Sequence, residues 1–327
     1  MISESSRETR NGTGPAGLPQ QTGTRRIAWN AVPQDVAAGI ERLLGAEVVA
    51  AAGQPGGFSE GVTSLLTLTD GRRVFVKAAS AEHAPAVSAF HRREIAVTRQ
   101  LATAWTPRLL DAYDDGVWVA GVYEEIRGRL PAQPWRAAEL DRVLAALAEL
   151  TEALTPSPVD RTLLSEPRLG GWQALAEKGG PPVDQLRRMA PWAADHLTDL
   201  ADLEAQAPQA LAGGTLQHGD LYPFNIMVHD QQVYVVDWPH AWIGAPFCDT
   251  VTLLSSASLS GADPQELAAR HPLTRTADRE RIDVMLAAHS GFLLRIVASA
   301  GAEADRNLVE MMSALGLASL RWLQRRR

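Results

Sequence analysis

The chain has 327 residues, a formal net charge of −7, 46% hydrophobic residues and 21% charged residues. That composition suits a globular protein with a buried core, and the negative balance excludes an overall basic field that would gather nucleic acid or an anionic membrane. One cysteine, Cys248, excludes an internal disulfide, and no apolar run is long enough to span a bilayer.

Residues 1–25 are polar and rich in Ser, Thr, Gly, Pro and Gln. They lack the apolar centre of a signal peptide, so the expectation is a disordered tail on a cytoplasmic protein. Residues 26–126 then read as a strand-rich lobe. VVAAA (48–52) leads into the Gly-rich stretch GQPGGFSEG (53–61). VTSLLTL (62–68) alternates, Asp70-Gly71 is a tight-turn pair, and RRVFVKA (72–78) is the returning strand. Helical spacing follows from Pro85 to Ala104, closed by Pro107. Two more strands are expected at Leu109–Tyr113 and Val117–Ile126, around the turn Asp114-Asp115-Gly116.

Residues 127–327 are Ala- and Leu-rich, with helices expected near 136–154, 192–205, 278–300 and 303–324. One strand pair interrupts them, IMVHD and VYVVD (226–237). Strands first and helices afterwards imply an α+β protein of two lobes with a shared cleft, not an alternating βαβ sheet.

The chemistry concentrates in LQHGDLYPFNIMVHDQQVYVVDWPHAWIGAPFCDTVTLL (216–254). Asp220 lies on a loop five residues before Asn225, Asn225 starts a strand, and the returning strand ends at Asp237. A hairpin brings its two ends together, so these three side chains are expected at one cleft. Phosphoryl transfer needs a carboxylate to orient or deprotonate the attacking hydroxyl and oxygen ligands for Mg²⁺, and an Asp, an Asn and a second Asp supply both. The Gly-rich loop, with Gly56, Gly57, Phe58 and Ser59 at its centre, offers backbone N–H groups to phosphates. Only two of the 31 basic residues are lysines, and one of them, Lys77, shares a strand face with Phe75. Glu94 follows 17 residues later on the next helix and is expected to pair with Lys77, with Glu82 as a rival.

The 216–254 stretch resembles the Brenner-type motif of the aminoglycoside phosphotransferase and choline kinase-like family, whose fold is similar to that of protein kinases. The resemblance implies Asp220 as the catalytic base, Asn225 and Asp237 as Mg²⁺ ligands, and His218 and Asp249 as supports of the loop. It also implies Lys77 on the α- and β-phosphates of ATP or GTP, held by Glu94. VYEEIRGRL (122–130) becomes the hinge, with Glu124 to Ile126 beside the nucleobase. Phe75 is either the apolar roof of that pocket or an ordinary core aromatic.

The partners implied are a nucleoside triphosphate and a small hydroxylated acceptor, bound by a monomer or homodimer. The acceptor reading is a hydroxylated antibiotic or sugar-bearing compound, with antibiotic resistance as the outcome. A metabolic kinase for choline, homoserine or a sugar, and a non-catalytic nucleotide-binding scaffold, are the alternatives. Asp195, Asp199 and Asp202 either form a carboxylate cluster for a polycation or a solvated helix face. Trp238 and Trp242 either stack on the acceptor or lie in the core beneath the loop. The resemblance implies that the C-terminus offers a carboxylate to the drug in some aminoglycoside kinases; the terminal Arg-Trp-Leu-Gln-Arg-Arg-Arg counts against that role, with a frayed, solvated basic tail as the other reading.

Overall fold

A computed structural model describes residues 26–54 and 61–327. The small lobe is a five-stranded antiparallel sheet in the order β1-β2-β3-β5-β4. Its strands are β1 (Val48–Gly53), β2 (Val62–Leu68), β3 (Arg73–Ser80), β4 (Leu109–Asp114) and β5 (Trp118–Glu124). Gly71 closes the β2–β3 turn at φ +83°, a left-handed conformation that suits glycine. Helix α1 (Gln34–Leu44) lays Val36, Ile40 and Leu44 over Val74, Val76 and Ala78, so one sheet face is a closed apolar core. Alternation leaves Phe75 and Lys77, both half-buried, on the opposite face. Helix α2 (Pro85–Thr98) covers part of that face.

The large lobe holds the remaining helices. These are α3 (Ala137–Ala153), α4 (Trp172–Lys178), α5 (Gly180–Met189), α6 (Pro191–Asp195), α7 (Leu197–Glu204), α8 (Ala207–Ala210), α9 (Cys248–Ala257), α10 (Pro264–Arg270), α11 (Pro272–Arg275), α12 (Arg279–Ala298) and α13 (Arg306–Arg326). Buried Trp172, Trp238 and Trp322 anchor its core. Two small antiparallel ladders stand at the cleft: β6 (Thr215–Gln217) with β9 (Trp242–Gly244), and the hairpin β7 (Ile226–His229) with β8 (Gln232–Val235). Among the described residues no helix is long and apolar enough to cross a membrane.

Several expected boundaries move. Helix α2 ends at Thr98, not Ala104. The Thr98 hydroxyl turns back to the Glu94 carbonyl at 2.7 Å, and the next stretch is drawn onto the large lobe, where the Trp105 carbonyl accepts from Val235 N–H at 2.7 Å. β5 stops at Glu124 because the chain must leave the sheet for the large lobe, where Arg129 and Val228 exchange backbone hydrogen bonds of 3.0 and 2.8 Å. The helix expected at 192–205 is two, broken at His196, whose ring stacks on Trp192 at 4.4 Å. The ladder β6–β9 has strands of three residues, too short to show alternation in sequence.

Of the three C-terminal arginines, Arg325 and Arg327 are exposed but Arg326 is not part of a solvated tail. Arg326 is buried, with Nε 2.5 Å from Asp283 Oδ1 and Nη1 2.6 Å from Gln265 Oε1, and the Trp322 indole N–H shares the same Gln265 oxygen at 3.1 Å.

Candidate active site

The site is assembled by two loops and one lysine. The first loop, 218–225, runs from β6 to β7; the second, 236–241, from β8 to β9. Gly219 sits at φ +77°, and a Cβ there would lie 2.3 Å from the His240 carbonyl oxygen. Both facts demand glycine. The flanking backbone is held by Asp249, which accepts from His218 N–H at 2.6 Å and Gly219 N–H at 3.1 Å. Asp249 is buried, and that burial raises its pKa despite the two backbone N–H groups it accepts from.

His218 joins the two loops. Its Nε2 lies 2.9 Å from the Val236 carbonyl, which can only accept, so Nε2 carries the proton. Nδ1 is then free to accept from Asp220 N–H at 3.2 Å. Asn225 reinforces the join: its Nδ2 donates to the Asp220 carbonyl at 2.8 Å and to Asp220 Oδ2 at 3.1 Å, while its own carbonyl accepts from Val236 N–H at 3.0 Å. Asp220, Asn225 and Asp237 therefore stand around one hydrogen-bonded frame, as the hairpin argument expects.

Asp237 itself has φ +70°, a conformation that costs a non-glycine residue about 1–3 kcal/mol and persists only where surroundings impose it. What imposes it here includes Lys77, whose Nζ lies 2.9 Å from Asp237 Oδ1 and 2.8 and 3.0 Å from the two Glu94 oxygens. Burial would lower the Lys77 pKa, but the two carboxylates outweigh it and raise it. Partial enclosure in the cleft opposes ionisation of Asp237, yet the Lys77 charge and hydrogen bond hold its carboxyl below the usual carboxylate range. Glu94, not the exposed Glu82, is the partner of Lys77.

The remaining expectations divide. Phe75 is on the cleft face beside Lys77, apart from the apolar core under α1. The Glu124 N–H donates to the Arg108 carbonyl at 3.0 Å, so that group is already paired, and the chain to Ile126 follows directly on β5. Gly56, Gly57, Phe58 and Ser59 lie outside the described residues. Trp238 and Trp242 are buried at 1% and 7% exposure, so both are core beneath the loop and neither faces an acceptor. Asp195, Asp199 and Asp202 are all exposed and divided between α6 and α7, so they form no shared carboxylate pocket.

Sequence reasoning missed two residues. Arg168, in the irregular segment before α4, places Nη1 2.8 Å from Asp220 Oδ1 and stacks its guanidinium over Phe292 at 5.1 Å. His240 lies close by, and burial together with the Arg168 charge lowers its pKa to about 4. Neither carries a local sequence signal: Arg168 is 52 positions from the carboxylate it touches.

This frame can orient a hydroxyl at Asp220, fix a phosphate at Lys77 and offer hard oxygen donors between them. The model of the phosphotransferase enzyme family, APH, matches residues 55–283. The chain belongs to that family. A choline/ethanolamine kinase family protein from Mesorhizobium loti is similar to this phosphotransferase with a TM-score of 0.52 at 16% identity, over 85% of this chain and 92% of that one. That likeness shows the two-lobed kinase-like fold. An amicoumacin kinase in complex with AMP-PNP and Ca²⁺ gives 0.49 at 11% identity, over 83% and 88% of the two chains. A macrolide 2′-phosphotransferase type I gives 0.46 at 15%, over 93% and 97%. No curated protein matches the phosphotransferase chain.

Proposed function

We propose that this phosphotransferase moves the γ-phosphoryl group of ATP or GTP onto a hydroxyl of a small acceptor, with Asp220 as general base. The observation that carries the reading is the lysine bridging Glu94 and Asp237 beside the frame of Asp220 and Asn225. Glu94 holds the ammonium in place, so it can meet phosphate oxygens without first losing side-chain freedom. In the transfer, the bond between the γ-phosphorus and its bridging oxygen breaks, and the electron pair leaves with the nucleoside diphosphate. The acceptor oxygen forms the new bond to phosphorus, and its proton passes to Asp220 and then to solvent. The two Asp220 oxygens accept from Arg168 and Asn225 in this structure.

The donor set suits Mg²⁺ carried in with the nucleotide. With Nδ2 spent on Asp220, Asn225 keeps its amide oxygen, and Asp237 keeps the carboxylate oxygen that Lys77 does not bind. Two hard oxygens complemented by phosphates and waters fit that ion, whereas among the described residues no cluster of three His, Cys, Asp or Glu side chains forms a self-sufficient metal cage. When bound, Mg²⁺ would neutralise charge on the transferring phosphates.

The acceptor in this reading is a hydroxylated antibiotic or sugar-bearing metabolite, and the phosphate added to a drug, about −1.5 to −2 charges at pH 7, would spoil its fit to a target. Asp220→Asn tests the base. Transfer followed by mass spectrometry should fall by about 10²- to 10⁴-fold with nucleotide affinity kept. Normal turnover by that variant would remove Asp220 from the role. Expression in a sensitive host tests the resistance outcome, where unchanged tolerance across aminoglycoside, nucleoside and macrolide panels speaks for a metabolic acceptor.

A further inference from the structure

The side chain nearest the proposed base is a cation, and this bears on what can be phosphorylated. Arg168 reaches Asp220 with one of its five N–H donors, its guanidinium lies over Phe292, and 24% of the side chain is exposed. Among the described residues Asp220 is its one ion-pair partner. A guanidinium stacked on an aromatic ring and facing solvent with donors to spare is the geometry that takes an oxyanion in bidentate fashion.

The surface behind the catalytic loop has the same sign. A groove of about 1040 Å³ runs between α5, the end of α12 and α13. Lys178, Arg188, Arg306 and Arg321 line it against one acid, Glu310, and none of the four cations has an ion-pair partner among the described residues. Its apolar wall includes Met189, Leu259 and Val297, which also pack with Tyr222 and Phe224 of the catalytic loop. Phe292, under Arg168, belongs to the same cluster. That apolar cluster lies between the groove and the catalytic loop. Lys178 is the other of the two lysines in the chain.

A polycation would meet repulsion at every one of these positions, and the exposed Asp195, Asp199 and Asp202 offer no counter-pocket. We propose that the acceptor carries an oxyanion, a carboxylate or a phosphate, which draws Arg168 off Asp220 and so frees the base only for an acceptor of the right charge. Arg168 is then a specificity-determining residue that exchanges its carboxylate partner for the oxyanion of the acceptor. This rests on the phosphoryl-transfer reading above and narrows its acceptor.

The test uses the full chain with ATP carrying ¹⁸O in the γ-phosphate and a polar small-molecule extract of bacterial cells. It adds a matched set of glucose, gluconate, glucose 6-phosphate, glucosamine and choline. Mass spectrometry identifies every compound that gains labelled phosphate. The expected result is labelling confined to compounds that already carry a carboxylate or phosphate, and the set separates those two sources. Arg168→Met should lower kcat/KM for them by about 10- to 100-fold, the range expected for a charge-assisted contact, with Arg168→Lys restoring part and the KM for ATP unchanged. Labelling of neutral or cationic compounds, or an Arg168→Met enzyme as fast and as selective as the wild type, overturns the inference while leaving phosphoryl transfer intact. Labelling of nothing by the wild type overturns phosphoryl transfer and the inference together.

Discussion

Lys77→Met separates what the ion-paired lysine does for stability from what it does for chemistry. The substitution removes the ammonium from between two carboxylates of very different exposure. Glu94 is 3% exposed and Asp237 46%, so Asp237 regains water and the cost falls on Glu94. Stranding one charge of a buried pair costs about 3–5 kcal/mol. His91 Nδ1, 3.8 Å from Glu94, relieves a little of this. Urea unfolding at pH 7 should therefore show a loss of about 3 kcal/mol. Lys77→Met with Glu94→Leu should regain most of the loss, because two apolar groups replace the pair, and yet transfer no phosphate. Lys77→Met within about 0.5 kcal/mol of the wild type, or a double variant no more stable than the single one, would refute the reasoning.

Gly219→Ala should cost about 2–4 kcal/mol by thermal unfolding and most of the transfer rate, since it forces a side chain into a left-handed residue and against the His240 carbonyl. Arg326→Met should lower stability by about 3–5 kcal/mol by leaving Asp283 uncompensated, with transfer constants unchanged in the folded enzyme. His289 is buried between the Tyr222 hydroxyl at 2.7 Å and Ser319 Oγ at 2.8 Å, and burial lowers its pKa to about 4. Between about pH 6.5 and 4 the unfolded chain binds the proton that the folded one refuses, so stability should fall by up to ~3 kcal/mol across that window. His289→Gln should flatten this slope in urea titrations at each pH, and a slope unaltered by the substitution would remove His289 as its source.

The small lobe was legible because its strands alternate and its turns are chemically explicit: β2 has the expected ends, and Asp70-Gly71 and Asp114-Asp115-Gly116 sit where the chain reverses. Asp220, Asn225 and Asp237 were legible for a related reason, since a hairpin converts sequence spacing into spatial proximity. Lys77 and Glu94 needed only one strand and the next helix. What sequence could not show was tertiary in origin. Helix α2 stops early because Trp105 is claimed by β8, a partner about 130 residues away that no local pattern announces. Arg168 reaches Asp220 from an irregular segment with no periodicity to fix its direction. Trp238 and Trp242 were ambiguous because an aromatic beside a loop reads alike whether it faces in or out, and packing decided for the core.

Cys248 sits at the first turn of α9 at 1% exposure, and burial raises its pKa, so the chain's one thiol is sequestered and unreactive. For spectroscopy this is a blank background. A cysteine introduced at an exposed position in each lobe, such as Glu82 and Asp195, would accept a fluorophore without competition from the native sulfur. The distance between two such dyes would report cleft opening during nucleotide binding, in a protein that needs no cysteine removed beforehand.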